Sequence, residues 1–497
     1  MSVERNLPLI RERRQAIMKG DPARAAEQKK LGKLTARERI GLLLDQQSFV
    51  ELDALAGRNG ECGVVTGYGL IEGRSVYVYA QDYTQMGGAV GAEHARKVIK
   101  VMDLAAKTGC PVVSMMDSAG ARLTEGVDAV NAYAQIAAKT GALSGVVPQI
   151  CLVMGQCAGS QAVIAAMSDV VIAAGSARMY VNGPQVVSAN TGKSVTAEAL
   201  GGAGACAASG IAQLTAESDA QAIALCRSVI SMLPGNNLDD APIDLNATDD
   251  VNRELTAYNA VERVDDVRAL IAQLADAGSV IELSAAYAGE MITALCRIGG
   301  ESVGVVATDA QKDEGALSVE GCAKAARFVA LMDSFNIPVV SLVDSVGMAI
   351  GCPCAQGKLA RAAALLTSAL SEATVGRVCV VTGNAIGAGY MALASRPAAD
   401  VVYAWPGSVI APLAAPAAVQ VLMEEKLKGV DDAAAKRDQL EKDYQDNVAD
   451  GINAAKEGYV DDVIEPAQTR QLLAAALGML AGKRDARLPK KHANLPL

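Results

Sequence analysis

Residues 75–82 read SVYVYAQD, and residues 302–309 read SVGVVATD. The two octads stand 227 residues apart, and that offset persists down the chain. Asp82 meets Asp309, Gly88-Ala89 meets Gly315-Ala316, and Glu93 meets Glu320. Pro111-Val112-Val113 meets Pro338-Val339-Val340, Asp117-Ser118 meets Asp344-Ser345, and Gly120 meets Gly347. Beyond these the offset becomes 228, so that Gly155 meets Gly383 and Gly159 meets Gly387. A period this long describes two domains of one fold rather than a solenoid.

Each half reads in the same order. A β-branched strand (76–79; 303–307) enters a Gly-bearing loop, and apolar spacing then predicts a helix (93–106; 320–334). A short buried strand follows (111–116; 338–343) and ends in Asp-Ser-x-Gly. A further helix and strand (149–154; 377–382) run into a Gly-rich turn that opens another helix. Alternating strands and helices predict layered α/β domains. The turn-rich stretch LPGNNLDDAPIDLN (233–246) is read as the linker, which gives domains over 1–236 and 247–497. The charged segment 424–450 reads as a solvated helical insertion, and the basic first 40 residues as a solvated helical arm. Uncharged runs at 140–168 and 401–423 are broken by Gly, Gln and Pro, so they read as core rather than membrane spans.

Composition narrows the chemistry. With 55 acidic against 45 basic residues, the net charge of -10 gives no overall nucleic-acid footprint. Two histidines, His94 and His492, leave little room for multi-histidine zinc sites or His-based acid–base schemes, and no metal site is expected. Eleven scattered cysteines, and an opening MSVERNLPLIRERRQ without an apolar signal core, point to a reducing cytoplasm. Gly155-x-Cys157-x-Gly159 imitates a nucleophile elbow, but the second half carries Ala385 in place of the thiol. Thr191-Gly192-Lys193-Ser194 lacks the first glycine of a P-loop, and Cys352-Pro-Cys354 has no second pair.

The shared feature is a pair of strand-to-helix loops in each half. They are DSAGAR (117–122) with GQCAGS (155–160), and DSVG (344–347) with GNAIGAG (383–389). Backbone N–H groups at a helix start lack partners, and glycine lets a ligand approach them. Two such loops converging would form an oxyanion hole.

These residues resemble the carboxyltransferase subunits of biotin-dependent acyl-CoA carboxylases and decarboxylases, including the transcarboxylase large subunit. The likeness runs over nearly the whole chain, through KLTARERIGLLLD (33–45), VVTGYGLIEGRSVYVYAQDYTQMGG (64–88), DSAGARLTEGV (117–127), GQCAGSQA (155–162) and NGPQVV (182–187). It continues through ALGGA (199–203), FNIPVVSLVDSVG (335–347), YAWPGSVIA (403–411) and KKHANLPL (490–497).

The resemblance implies tandem crotonase-like domains, with acyl-CoA on the first and biotin on the second domain of another subunit. It implies Ala119, Gly120, Gly159 and Ser160 at the thioester carbonyl, and Gly347, Ala388 and Gly389 at the biotin ureido carbonyl. Ser118, Ala121, Arg122, Cys157, Ala158, Asn182, Gly183 and Pro184 would line the acyl-CoA side, and Val346, Gly387, Tyr390 and Met391 the biotin side. It also implies a biotin carrier protein as partner, a biotin carboxylase or membrane decarboxylase subunit, and a homo-oligomer, either a dimer or a trimer of dimers. Ala119, Val346-Gly347-Met348 and Met391 depart from residues common in the family, the last tilting the reading toward decarboxylases or transcarboxylases. Two other classes remain open: a biotin-independent enoyl-CoA hydratase or isomerase with Glu125 as its carboxylate, and a non-catalytic scaffold binding CoA or a biotin carrier.

Overall fold

The computed structural model describes residues 3–57, 62–261, 263–351, 353–428, 431–485, 487–492 and 494. Cys352, the side chain of Cys354 and most of the terminal 493–497 stretch therefore lie outside the described residues. The chain divides into two compact units, Met1–Asp240 and Ala241–Leu497.

The first unit opens with helices α1 (Val3–Lys19), α2 (Pro22–Lys30) and α3 (Ala36–Leu43). Thr35 caps α3 in a reciprocal box with Glu38, which explains why the helix starts there. A seven-stranded sheet follows in the order β1 (Val50–Leu52), β2 (Val64–Ile71), β3 (Arg74–Gln81), β4 (Val112–Met116), β5 (Gln149–Val153), β7 (Val170–Ala174), β9 (Leu214–Ala216). The first three strands pair antiparallel and the rest are parallel. Parallel pairs require crossovers, supplied by helices α4 (Ala92–Thr108) between β3 and β4 and α5 (Val127–Leu143) between β4 and β5. A separate parallel pair, β6 (Gln156–Ala158) with β8 (Arg178–Tyr180), carries the chain into helix α6 (Ser160–Ala166).

The second unit repeats this plan. Its sheet runs β10 (Ile281–Leu283), β11 (Met291–Ile298), β12 (Glu301–Thr308), β13 (Val339–Ser345), β14 (Arg377–Ile386), β15 (Val401–Ala404), β17 (Asp462–Val463), with β16 (Val409–Ala411) pairing the far end of β14. The unbroken β14 covers what β5 and β6 cover separately in the first unit.

Ion pairs repeat with the strands. Arg37 holds Glu51 as Arg268 holds Glu282, and Arg227 meets Asp45 as Arg470 meets Asp276. The duplication thus extends upstream of Ser75. Small aliphatics fill each core, as Val98, Val101, Val112, Cys151 and Val171 do in the first and Leu270, Val303, Val380 and Leu473 in the second.

Two expectations are corrected. The basic arm is not solvated throughout: Gln28 and Arg39 are buried, and Lys33 is nearly so, because all three converge on Asp117. Nor is the 424–450 insertion wholly solvated. Leu440 and Tyr444, from a helix at Ala433–Asn447, are buried, and Tyr444 packs with Ile386, Ala411 and Ala418. Among the described residues no helix is long and apolar enough to cross a membrane.

Candidate active site

The Asp-Ser-x-Gly bend leaves β4 with Asp117 and Ser118 buried. Gly120 takes φ +111°, a conformation that strains residues with side chains, and its N–H turns back onto Ser118 Oγ at 3.0 Å. The Gly120 carbonyl accepts from Val90 N–H at 2.9 Å, and Arg122 N–H donates to Val90 at 2.8 Å. Ala121 lies between these bonds, and its own N–H has no acceptor among the described residues.

The second bend gives the same outcome. Gly159 (φ 66°, ψ −134°) donates its N–H to Tyr180 at 3.0 Å. Ser160 then begins α6 on the surface, with its N–H unpartnered among the described residues.

The second unit reproduces the pattern bond for bond. Gly347 (φ 104°) donates to Ser345 Oγ at 3.2 Å, and its carbonyl accepts from Leu317 at 2.8 Å. Gly387 (φ 51°) donates to Ala411 at 2.9 Å. N–H groups without acceptors among the described residues include those of Met348, Ala388 and Gly389. Met348 and Ala388 both line one groove of 720 Å3, together with Leu359, Ala363, Thr367 and Met391.

The expected site residues differ in what their N–H groups do. Among the described residues, the N–H groups of Ser160, Ala388 and Gly389 have no acceptor. Those of Ala119 (onto Gly87, 2.8 Å), Gly120, Gly159 and Gly347 are engaged within the bends. The residue after each of Gly120 and Gly347, Ala121 and Met348, has an N–H without an acceptor among the described residues. At Gly120, Gly159, Gly347 and Gly387, all at positive φ, the glycine's own N–H is engaged and the next one has no acceptor among the described residues. Met348 lies 227 residues beyond Ala121, at the matching place in the second unit.

Other expected residues sort by side-chain direction. The Cys157 thiol is fully buried, and burial raises its pKa well above the ordinary thiol value, so it presents no thiolate. Arg122 is turned inward: Nε donates to Ala89 at 3.1 Å and Nη2 to Cys62 at 2.7 Å. Ser118 serves the bend itself. Ala158 lies beside the Gly159 bend, in the β6–β8 pair. Asn182 is exposed, just beyond the Tyr180 carbonyl that receives Gly159, and Gly183 and Pro184 start the next helix.

In the second unit, Val346 donates back to Glu314 at 3.4 Å. Gly387 and Tyr390 line a different cleft, of 640 Å3, from the groove that Ala388 and Met391 share. The biotin-side set is thus divided between two cavities. Glu125 is occupied as a cap: Oε2 accepts the Ala92 N–H at 2.8 Å where α4 begins, and Oε1 meets Arg122. Among the described residues no group of His, Cys, Asp and Glu could hold a metal ion.

A family model for the carboxyl transferase domain matches residues 27–495. The chain belongs to that family. Within it, the α subunit of methylmalonyl-CoA decarboxylase from Veillonella parvula is 40% identical, with 100% of both chains covered. The 12S subunit of methylmalonyl-CoA carboxyltransferase from Propionibacterium freudenreichii subsp. shermanii is also 40% identical, over 100% of this chain and 98% of that one. Among solved structures, a transcarboxylase 12S crystal structure described as a hexamer with methylmalonyl-coenzyme A and methylmalonic acid bound superposes with a TM-score of 0.96. It is 39% identical and covers 100% of this chain and 99% of that one. The carboxyltransferase is thus a tandem of crotonase-like units.

Proposed function

We propose that this carboxyltransferase moves a carboxyl group between a short acyl-CoA, of the malonyl or methylmalonyl type, and biotin borne by a separate carrier protein. The observation that supports this best is the duplicated pair of bends, each presenting main-chain N–H groups without partners among the described residues: Ala121 and Ser160 in one unit, Met348 and Ala388 in the other. Loss or gain of a carboxyl group next to a thioester puts charge on the thioester oxygen. Main-chain donors aimed at that oxygen stabilise the enolate by roughly 3–4 kcal/mol each.

We assign Ala121 and Ser160 to the thioester oxygen, with Asn182, Gly183 and Pro184 along the CoA path. Met348 and Ala388, with Gly389 next in the chain, fit the second carbonyl, since the groove that Met348 and Ala388 line is mostly apolar and large enough for a bicyclic ring. Biotin, when bound, supplies the ureido nitrogen that takes or yields the carboxyl group. The chain's own part is to orient the two carbonyls and hold negative charge, and its thiols and two histidines take no role. This accords with the buried Cys157 and with the engagement of Glu125 as a helix cap.

The partners fitting this reading are a biotin carrier and either a biotin carboxylase or a membrane decarboxylase subunit, met by a homo-oligomer of this chain. Its setting is the cytoplasm, in keeping with the free cysteines among the described residues. The test is to incubate the purified chain with methylmalonyl-CoA or malonyl-CoA and free biotin and to follow carboxyl transfer. Transfer is expected. A folded protein that moves no carboxyl group from any short carboxyacyl-CoA would overturn the proposal.

A further inference from the structure

The first unit contains a buried guanidinium beneath its bends that has no counterpart at the equivalent position of the second unit. Arg39, on α3, has no solvent exposure and directs three nitrogens at three different places. Nη1 donates to Asp117 Oδ2 at 3.0 Å, Nη2 to the Met154 carbonyl at 3.1 Å, and Nε to Asp219 Oδ2 at 2.8 Å. Asp117 is the residue at which the first bend leaves β4, and Met154 is the last residue before the Gly155 bend. One planar group therefore joins the roots of both bends to a third element, the helix Asp219–Met232.

The surroundings keep this arrangement tight. Lys33 adds a second cation to Asp117 at 2.7 Å, Gln28 donates to it at 3.2 Å, and Leu34 N–H donates to Asp219 at 3.0 Å. Two cations thus balance two carboxylates, which makes the burial of all four tolerable. A Cβ on Gly155 would lie 1.9 Å from Asp117 Oδ1, so the second bend is seated directly against the carboxylate. Counting from the duplicated pair Arg37 and Arg268, the place of Arg39 in the second unit is taken by Leu270, which is fully buried in the core. There Asp344, paired with the half-exposed Arg263, reaches the second bend directly, accepting the Asn384 N–H at 2.8 Å.

We infer that Arg39 is a positioning residue for carboxyl transfer on the acyl-CoA side, fixing the spacing between the bends that present Ala121 and Ser160. The inference rests on the carboxyltransferase reading above. Arg39 does not touch substrate. It acts through the bends, and small displacements of oriented donors are costly to the transition state. Lysine keeps the charge but cannot serve three acceptors in one plane.

The experiment compares wild type, Arg39→Lys and Asp219→Asn, each checked for fold by circular dichroism, in transfer from methylmalonyl-CoA to free biotin. For Arg39→Lys, kcat is expected to fall by about ten- to a hundredfold while KM for the acyl-CoA stays within about twofold. Asp219→Asn, which retains the guanidinium but weakens its third anchor, should fall in between, and it carries the test if Arg39→Lys does not fold. A folded variant with unchanged kcat, or a loss confined to KM, would overturn the assignment. No transfer by wild type would instead remove the function on which it rests.

Discussion

Lys33 and Arg263 hold equivalent places in the two units: each reaches the carboxylate that ends a central strand. Lys33 Nζ lies 2.7 Å from Asp117 Oδ2, and Arg263 Nε lies 2.8 Å from Asp344 Oδ2. The environments differ. Lys33, Arg39 and Asp117 form a nearly dry cluster, whereas the Arg263 side chain is 43% exposed. Removing the carboxylate charge should therefore cost the two units unequally.

Asp117→Asn leaves a buried guanidinium and ammonium short of one charge, which is expected to cost about 3–5 kcal/mol. Asp344→Asn leaves an arginine that can turn to water, at a smaller cost. Thermal melts of both variants should show the larger drop for Asp117→Asn. Equal drops would mean that burial does not decide the strength of these pairs.

Cys157→Ala should retain most of the carboxyl-transfer activity. Its thiol is buried, with its pKa raised by desolvation, and it supplies no nucleophile. The stability cost should be about 1 kcal/mol, the common size for a point change. The native protein should also resist thiol reagents at this position, as mass spectrometry of the labelled chain would report. An inactive but folded Cys157→Ala variant would point to covalent chemistry at sulfur.

A side chain at Gly389 should abolish transfer to biotin. A Cβ there would lie 3.1 Å from Ser345 Oγ and 3.2 Å from the Gly347 Cα, so Gly389→Val must push the two bends of the second unit apart. The first unit is untouched, and acyl-CoA binding measured by calorimetry should persist. Gly159 differs: a Cβ would meet only the Val181 carbonyl, at 4.0 Å, but φ is +66°. Gly159→Ala should thus suffer through backbone strain of about 1–3 kcal/mol rather than through collision.

The repeated strands, the crossover helices and the position of the bends were legible because hydrophobic patterning and glycine spacing are local signals. Residues 149–154 and 377–382 could be read as strands from their apolar runs alone. Which N–H is left without an acceptor was not legible, because it depends on the dihedral angles of Gly120 and Gly347, and a one-letter code does not carry those. Arg39 and Lys33 looked like parts of a solvated arm, since their partner Asp117 lies 78 and 84 residues away in sequence. Gly155 and Gly383 read as ligand-approach glycines, yet a Cβ on either would strike Asp117 or Asp344. Their small size is already required by the buried carboxylates.

His94 offers a test of the core beneath the first bend. It is buried on α4, and desolvation, aided by the positive charges of Arg122 and Lys97, lowers its pKa from 6.5 to about 3. Above pH 6.5 the folded and unfolded imidazoles are both neutral and the linkage is silent. Between pH 6.5 and about 3 the unfolded chain binds a proton that the folded chain refuses, so stability falls as pH drops, by up to about 1.4 kcal/mol per pH unit from this group. Between pH 6.5 and 5 the carboxylates with lowered pKa, such as Asp45 and Asp276, stay ionised and add little. The melting temperature of wild type should therefore decline from pH 7 to pH 5 more steeply than that of His94→Gln. Parallel declines would show that His94 takes up its proton in the folded state, and that the packing between α4 and the Arg122 bend is open to water.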